Sequence, residues 1–487
     1  MTPIDIAILA VYFAAVVCLG SVFYRGQKSL ADFFLAERNI PWWAAAFSGI
    51  ATILGAISFL GAPGQAFKSD LRFLQYRLGT PVALFLIGWV MVPFFYRLRV
   101  FSIYEYLEQR FDLRTRLLGG AQFFVLKALF LSISIYAPAL LFVQMTGLPL
   151  PVVVLAVGLI TTLYTTLGGV KAVIWTDTMQ LFILLGGLGV SAWVIVQNSG
   201  SVASILDTAS QQGKLRFFDF SADFQSEFTI YGGIIGGTFV LLSQYGVNQA
   251  ELQKMLTTTS IRRSQLALAS TMVFATLVGF TYFLIGAGLF VFYSAHPEKG
   301  AEGLNPDRIF PKFILEELPA GIKGLVMAAV ASAAMSAVSS VLNSLATVYV
   351  TDFHNRLSRR AAGVATARRV TLVIGFSCTL LALYVNKLGN LLVAATSLQN
   401  FLGGSLTGTF LLGMTFRRAN ARGAFYGLVA GTAAVVALAR FTSVAWMWHG
   451  AFAAAVAYGI GALLSVLSAE PATPEKDHLV WKPAQTF

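Results

Sequence analysis

The chain of 487 residues is 57% hydrophobic and only 11% charged, and its mean hydropathy is +0.73. Soluble globular domains carry roughly 25% charged residues, so the composition excludes a water-soluble protein. The apolar residues recur in runs of about 20, which is the length of a helix that crosses a bilayer. The chain is therefore predicted to be an all-α polytopic membrane protein.

The apolar runs, taken in chain order, predict about thirteen transmembrane helices. They lie near residues 4–23, 41–61, 76–97, 119–145, 149–170, 173–197, 229–250, 265–294, 321–351, 369–387, 389–413, 423–440 and 444–468. Together they are expected to form one transmembrane domain over residues 1–468. The tail of residues 469–487 is polar and contains proline, so we expect it to be cytoplasmic and disordered.

The basic residues lie in short clusters between the apolar runs and give the chain a formal net charge of +12. This pattern follows the positive-inside rule and indicates topology rather than nucleic-acid binding. With the N-terminus outside, the inner loops hold Arg25, Lys28, Arg38, Arg97, Arg99, Arg110, Arg114, Arg116, Lys254, Arg262, Arg263, Arg356, Arg359, Arg360, Arg368, Arg369, Arg417, Arg418 and Arg422. The C-terminus is then cytoplasmic. The sequence has no Asn-x-Ser/Thr acceptor, which favours a bacterial inner membrane.

Two of the apolar runs are interrupted by glycine. The second run contains Gly49, Gly55, Gly61 and Pro63, and the seventh opens with Gly232, Gly233, Gly236 and Gly237. Broken membrane helices are tolerated where they line a cavity, and in matching positions of two repeats they indicate a substrate site. If residues 41–197 and 229–413 form two five-helix repeats, these runs are the first helix of each. Close helix packing by small residues is the alternative.

Asp177 is the clearest ionisable residue inside an apolar run. Such a residue costs roughly 2.5 to 3.5 kcal/mol in a bilayer and is usually functional. In the ninth run Ser336, Ser339 and Ser340 share one helical face. Carboxylate and hydroxyl oxygens are the ligands that a hard cation prefers, so these residues are candidates for an ion site. The alternatives are an interfacial Asp that caps its helix and a serine face that packs helices.

Polar side chains in other runs are candidates for contact with a solute. Arg77 in the third run and Lys127 in the fourth could bind an organic anion, and an arginine fork holds a carboxylate bidentately. The alternative for both is snorkelling to the membrane interface. Gln244, Asn248 and Gln249 supply amides for a solute or a gate, or else end the seventh helix at the inner surface.

Several ordered motifs carry a resemblance that spans most of the chain. They are Tyr104-Glu105-Tyr106-Leu107 with Arg110-Phe111, Ile135-Tyr136-Ala137-Pro138-Ala139-Leu140, Gly168-Gly169-Val170-Lys171-Ala172-Val173-Ile174-Trp175-Thr176-Asp177, Tyr245-Gly246-Val247-Asn248-Gln249, and Leu342-Asn343-Ser344-Leu345-Ala346-Thr347 with Asp352. With them the chain resembles the sodium–solute symporter family, in particular the monocarboxylate and multivitamin transporter branch and the bacterial sialate symporters. The resemblance implies a LeuT-like fold of two inverted five-helix repeats and alternating access driven by inward sodium flow.

The resemblance also implies two sodium sites. The site shared across the family would use Ala51, Leu54, Ala333 and Ser336, by backbone carbonyls and a hydroxyl. The adjoining family position usually holds Ser or Thr, and here Ala337 removes that oxygen ligand. A further site, as in bacterial sialate symporters, would use Asp177 with Ser336, Ser339 and Ser340. We therefore predict sodium as the coupling ion.

The solute residues implied by the resemblance lie around the second run. They are Ile53, Gly55, Ser58, Arg77, Phe130 and Gln244. In sialate symporters the first two positions hold hydroxyl residues and an Arg lies near the position of Phe130, so their absence argues against sialate. Unpaired buried hydroxyls cost free energy, and this site offers few partners for them. The predicted solute is a small monocarboxylate-type anion.

Other classes of protein remain as alternatives. A proton-coupled or sodium-independent carrier of the same fold is the main one, because of Ala337. A transporter-like sensor would need a separate signalling partner. An enzyme is not expected, because the sequence has no P-loop, metalloprotease helix motif or nucleophile elbow. The predicted partners are sodium, a small organic solute and the lipid bilayer, with no nucleic acid and no obligate protein partner.

Overall fold

The structure is a computed structural model that describes residues 2–22, 29–301, 303–358, 361–385, 391–468 and 478–481. Over these residues it is almost entirely helical, which confirms the all-α prediction. The helices in chain order are α1 (Pro3–Val22), α2 (Leu30–Leu35), α3 (Trp42–Ile53), α4 (Ala56–Lys68), α5 (Thr80–Phe85), α6 (Val92–Leu98), α7 (Glu105–Arg110), α8 (Leu113–Thr146), α9 (Leu150–Ser199), α10 (Val202–Gln211), α11 (Gly237–Leu241), α12 (Gln249–Leu256), α13 (Ile261–Ala295), α14 (Pro306–Glu317), α15 (Ile322–Val348), α16 (Asn355–Leu357), α17 (Val364–Ala382), α18 (Leu391–Thr415), α19 (Ala421–Phe441) and α20 (Trp446–Leu467).

Most of the predicted membrane runs correspond to these helices. Among the described residues, eight helices are long and apolar enough to cross a membrane, and α3 with α4 forms a further span bent by 53°. The predicted count of about thirteen stays a prediction. Arg25, Lys28, Arg359 and Arg360 of the predicted inner loops lie outside the described residues.

The predicted fifth and sixth runs lie in the single long helix α9. At 50 residues, α9 would extend about 75 Å if it were straight, more than twice the thickness of the hydrocarbon core. The backbone leaves the helical conformation at Gly169, where φ is 59° and ψ is −168°. Only glycine adopts positive φ at little cost, so Gly169 separates the two predicted spans.

Helix α15 is the centre of the fold. In its most apolar window 94% of the residues are buried, and the helix packs against α3, α4, α8 and α9. Its buried face is rich in Ala and Ser, which lets the neighbouring backbones approach closely. The serine face of the ninth run therefore meets the broken helix of the second run.

The glycines of the seventh run serve packing rather than the cavity. A β-carbon on Gly233 or Gly237 would collide with the backbone of Gln75 or Tyr76, and one on Gly236 would collide with Met447. The interpretation of these glycines as cavity residues is thus wrong, because none of them lines the cavity described below. Gly233 and Gly237 instead pack against the 3₁₀-helix Leu71–Gly79, and Gly236 packs against α20. The break in this run comes later, at Val247, between a π-helical turn and α12.

The loop after α10 packs against the 3₁₀-helix Leu71–Gly79 and holds it by polar contacts. Arg72 Nη1 lies 2.9 Å from Asp219 Oδ2, and Gln75 Nε2 donates to the carbonyl oxygen of Phe228 at 2.9 Å. Hydrogen bonds from the hydroxyl and backbone N–H of Ser221, assisted by Arg72, lower the pKa of Asp219 to about 2. The carboxylate is therefore charged at neutral pH, and the contribution of this clamp to stability disappears only as the pH falls toward 2.

Only residues 478–481 of the predicted disordered tail are described. Leu479 and Val480 are buried, and the Trp481 N–H donates to the carbonyl oxygen of Met414 at 2.9 Å. The hydroxyl of Tyr106 donates to the carbonyl oxygen of Leu479 at 3.2 Å. Residues 479–481 are thus packed, and residues 469–477 and 482–487 lie outside the described part of the chain.

Candidate functional site

The break between α3 and α4 exposes backbone carbonyls next to α15. The last carbonyls of α3 have no helical partner, because Gly55 is extended, with φ of −47° and ψ of 171°. A β-carbon on Gly55 would lie 3.0 Å from the Cβ of Ala337 and 3.4 Å from the carbonyl oxygen of Ala333. The break that follows Ala51 and Leu54 therefore lies against α15 at Ala333 and Ala337.

Two of these carbonyls already have protein donors. The hydroxyl of Ser58 donates to the carbonyl oxygen of Ile53 at 3.4 Å. The hydroxyl of Tyr282 donates to the carbonyl oxygen of Leu54 at 3.2 Å. Since Ala337 also contributes no oxygen, fewer ligands are free here than the resemblance implies. The assignment of sodium to this set stays a prediction.

Asp177 lies at the centre of a fully buried polar cluster. Its Oδ2 accepts hydrogen bonds from Ser48 Oγ at 2.5 Å and from Ser340 Oγ at 3.1 Å. Its Oδ1 is buried without a hydrogen-bond partner among the described residues. The interpretation of Asp177 as an interfacial cap is wrong, because the side chain is 0% exposed and bonds to two other helices.

The serine face of α15 contributes to this cluster unequally. Thr52 Oγ1 donates to Ser340 Oγ at 2.9 Å and lies 3.5 Å from Ser336 Oγ. Ser339 Oγ instead donates to the carbonyl oxygen of Ser336 at 3.1 Å, within its own helix. The structure therefore brings Ser336 and Ser340 to α3, whereas the hydroxyl of Ser339 donates a hydrogen bond within its own helix.

The sequence interpretation missed three members of this cluster. Ser48 and Thr52 on α3 are spaced by four residues in an apolar run, a signal that could have identified them. Lys254 was assigned to an inner loop, and this assignment is wrong. Its side chain is only 2% exposed, and Nζ lies 3.4 Å from Asp177 Oδ2.

A cavity of about 100 Å³ lies between the broken helix, α8, α12 and α15. All six residues predicted to contact solute line it, together with polar and apolar residues from other helices. The lining is Thr52, Ile53, Gly55, Ile57, Ser58, Phe73, Tyr76, Arg77, Lys127, Phe130, Ser134, Val240, Gln244, Asn248, Ala250, Glu251, Ala337, Val341, Leu392, Ala395, Thr396 and Gln399. Their role as solute ligands stays a prediction.

Arg77 and Lys127 are both buried at this cavity, so the snorkelling interpretation is wrong for both. Arg77 is 8% exposed, its guanidinium stacks 4.7 Å from the ring centroid of Tyr76, and its Nε and Nη1 have no hydrogen-bond partner among the described residues. Lys127 is 3% exposed, and its Nζ donates to Gln399 Oε1 at 2.8 Å and lies 4.9 Å from the ring centroid of Phe130. Two buried cations therefore face the same space.

The amide residues at the end of the seventh run have different roles. Asn248 caps α12 by accepting from the N–H of Ala250 at 3.1 Å, and it also lines the cavity. Gln249 instead binds the Ile103 N–H and the Phe101 carbonyl, so it ties α12 to the loop before α7. Glu251, which the sequence interpretation missed, is 2% exposed at the cavity, and its Oε2 is unpartnered among the described residues.

A broken helix that adjoins both a buried oxygen cluster and a cavity is typical of secondary transporters, in which ion and solute sites adjoin at discontinuous helices. The sodium:solute symporter family model matches residues 33–431. The chain therefore belongs to the sodium:solute symporter family and is a membrane transporter that couples solute movement to sodium.

Relatives of known name agree with this assignment. The chain is 31% identical to the sodium/sialic acid symporter NanT of Aliivibrio fischeri, over 91% of this chain and 89% of that protein. It is 34% identical to the human sodium/iodide cotransporter, over 84% of this chain and 64% of that protein. It is also 34% identical to the human sodium-coupled monocarboxylate transporter 1, over 84% of this chain and 68% of that protein.

Solved structures confirm the predicted fold. A substrate-bound, outward-open Na⁺-coupled sialic acid symporter superposes with a TM-score of 0.90 at 31% identity, covering 97% of this chain and 99% of that chain. The transporter Mhp1 in a closed conformation superposes with a TM-score of 0.61 at 16% identity, covering 91% and 96%. The fold is thus LeuT-like, and the family and fold imply a transporter rather than an enzyme.

Restoring the missing hydroxyl tests the predicted shared sodium site. We expect Ala337→Ser to lower the sodium concentration that half-saturates thermal stabilisation by about threefold or more, because an added hydroxyl ligand contributes roughly 0.5 to 1.5 kcal/mol. The measurement is a melting curve in sodium chloride against choline chloride at equal ionic strength. Ala331→Ser is the control, because Ala331 lines an apolar recess with Phe13 and Met335. An unchanged sodium midpoint in Ala337→Ser would remove Ala337 from the ion site.

Proposed function

We propose that this symporter imports a small organic monoanion, of the monocarboxylate type, together with sodium. The main observation that supports this proposal is the pair of buried cations at the cavity, Arg77 and Lys127. The unpartnered Nε and Nη1 of Arg77 offer donors to a carboxylate, and Lys127 supplies a second positive charge. The described partners of the two cations, Tyr76 for Arg77 and Gln399 and Phe130 for Lys127, are uncharged. Burying a charge without a counter-ion is expensive, so a bound anion stabilises this arrangement.

The formal charges of the cavity favour one negative charge on the solute. Arg77 and Lys127 are positive and Glu251 is negative, which leaves one positive charge among the charged residues that line the described cavity. The neighbouring pair of Asp177 and Lys254 is neutral in sum. A bound monoanion therefore neutralises the net positive charge of the cavity, whereas a neutral sugar leaves that charge uncompensated.

The remaining lining favours a small solute with few hydroxyl groups. Ile53, Phe73, Phe130 and Val341 give the cavity apolar walls, and the free volume is about 100 Å³. Buried hydroxyl groups without partners cost roughly 1 to 3 kcal/mol each. This supports a short monocarboxylate over a polyhydroxylated acid.

The relatives are consistent with an anion but do not agree on which one. Their names include sialic acid, iodide and monocarboxylates, all of which are anions at neutral pH. Because Ile53, Gly55 and Phe130 replace the polar positions that the resemblance assigns to sialate symporters, we place this chain with the monocarboxylate carriers. We also propose the bacterial inner membrane as its location, with the N-terminus outside and the C-terminus inside.

Solute uptake driven by a sodium gradient tests this proposal. In proteoliposomes with an inward sodium gradient, we expect accumulation of radiolabelled pyruvate or a similar short monocarboxylate, lost when choline replaces sodium at constant membrane potential. Excess unlabelled monocarboxylates should compete, and glucose should not. Sodium-driven uptake of sialic acid or iodide without uptake of any short monocarboxylate would contradict the proposed substrate class while leaving sodium coupling intact.

A further inference from the structure

The ammonium group of Lys254 is surrounded by oxygen atoms of the candidate ion site. Nζ lies 3.4 Å from Asp177 Oδ2 and 3.0 Å from the carbonyl oxygen of Ser48, and it also donates to Thr52 Oγ1. An ammonium has three donors, and these oxygens use all three. Lys254 is 2% exposed and Asp177 is 0% exposed, so water does not replace any of these contacts.

These oxygens are a carboxylate, a carbonyl and a hydroxyl, which are the ligand types that sodium takes. One carboxylate balances only one monovalent cation in such a buried space. We infer that Lys254 is a tethered competitor of sodium at Asp177. Its ammonium holds the cation position in the sodium-free protein, and sodium binds there only after the ammonium withdraws. The inference rests on the sodium site proposed at Asp177 and says how that site is regulated.

The position of Lys254 in the fold links this exchange to the solute cavity. Lys254 lies on α12, which begins after the non-helical residue Val247 and also carries Glu251. Asn248 at the start of the same helix lines the cavity. When sodium displaces the Lys254 ammonium from Asp177, the ammonium remains attached to α12, the helix that faces the solute cavity. Ion binding and the cavity are therefore coupled through one short helix.

Removing the ammonium should strengthen sodium binding. A site whose competent state is populated at about 10% binds about tenfold more weakly than a preformed one. We therefore expect Lys254→Met to lower the sodium concentration that half-saturates thermal stabilisation by about tenfold, since a ligand that binds only the folded state raises its melting temperature. The measurement uses the purified full-length protein in sodium chloride and choline chloride at equal ionic strength.

Two further variants make the test specific. Lys254→Arg keeps the positive charge and should not gain sodium affinity. In the double variant Lys254→Met with Asp177→Asn the gain should disappear, because the carboxylate that receives sodium is absent. If Lys254→Met does not fold, Lys254→Gln removes the charge and keeps a hydrogen-bond donor.

Some outcomes would overturn the inference. An unchanged or raised sodium midpoint in Lys254→Met, with only a lower melting temperature in choline, would mean that Lys254 is a structural partner of Asp177. A gain that survives in the double variant would place the effect at another site. Because no solute is present in this assay, its result does not depend on the proposed monocarboxylate. A sodium response in Lys254→Met with none in the unmodified protein would also overturn the inference, because the ammonium would then exclude sodium from Asp177 instead of exchanging with it.

Discussion

Arg77→Gln is expected to reduce sodium-driven monocarboxylate uptake by about thirtyfold or more at subsaturating solute. Truncating one partner of a buried charge pair costs at least about 2 kcal/mol, and glutamine keeps a donor but loses the charge and the fork. The loss should lie in solute affinity, because the nearest described contacts of Arg77 are cavity residues such as Tyr76. The measurement is initial uptake rate against solute concentration in proteoliposomes.

Arg72→Gln is the matched control for this variant. Arg72 lies on the same 3₁₀-helix, but its side chain is 29% exposed and pairs with Asp70 and Asp219 outside the cavity. We expect its uptake to stay within about twofold of the unmodified protein, since exposed ion pairs contribute less than about 1 kcal/mol. Arg77→Lys should fall between the two, because it keeps the charge and loses bidentate geometry. Equal losses in Arg72→Gln and Arg77→Gln would show damage to the helix rather than loss of an anion contact.

The sequence predicted those features of the site that are visible as a local pattern along the chain. Asp177 is a charge inside an apolar run, and Gly55 interrupts a run that is otherwise long enough to span a bilayer. The three serines of α15 follow helical spacing. Each of these signals depends only on neighbours in the chain. The structure places Asp177, Ser336 and Ser340 in the buried polar cluster and Gly55 at the cavity, whereas Ser339 bonds within its own helix.

The sequence does not show how deeply a basic side chain is buried or in which direction it points. Snorkelling to the membrane interface is the alternative that the sequence leaves open for Arg77 and Lys127, and the positive-inside pattern places Lys254 in an inner loop. All three are buried, since Arg77 is on a 3₁₀-helix that lies against the seventh run, and Lys254 is on a helix that resumes after a break. Which way a basic side chain turns depends on the rotation of its helix and on the partners it finds.

The helical boundaries show the same limit. Runs of apolar residues predicted α1, α8 and α13 to within six residues at each end, because each run is continuous and at least as long as a bilayer requires. The short helices α10 and α14 were missed, since a search for apolar runs passes over amphipathic helices in loops. α14 nevertheless packs against α4, so it helps to hold the second half of the broken helix.

Asp177→Asn is expected to raise the sodium concentration for half-maximal uptake by at least about tenfold, because it removes the only carboxylate among the described oxygens of the cluster. Solute affinity at saturating sodium should change much less, since Asp177 does not line the cavity. The change also leaves Lys254 buried without its counter-ion, so the melting temperature in choline should fall, consistent with a cost of about 3 to 5 kcal/mol. The measurements are sodium-dependent uptake rates and melting curves of the same preparation.

Asp352→Asn separates this ion effect from the loss of any buried ion pair. Asp352 is also 0% exposed, and it pairs with Arg116 at 2.5 Å, apart from the polar cluster around Asp177. It should therefore lower the melting temperature and leave the sodium midpoint of thermal stabilisation unchanged. If both variants shift the sodium midpoint equally, the effect of Asp177 is general destabilisation. If Asp177→Asn weakens sodium and solute to the same degree, the carboxylate serves the cavity as a whole and is not a dedicated sodium ligand.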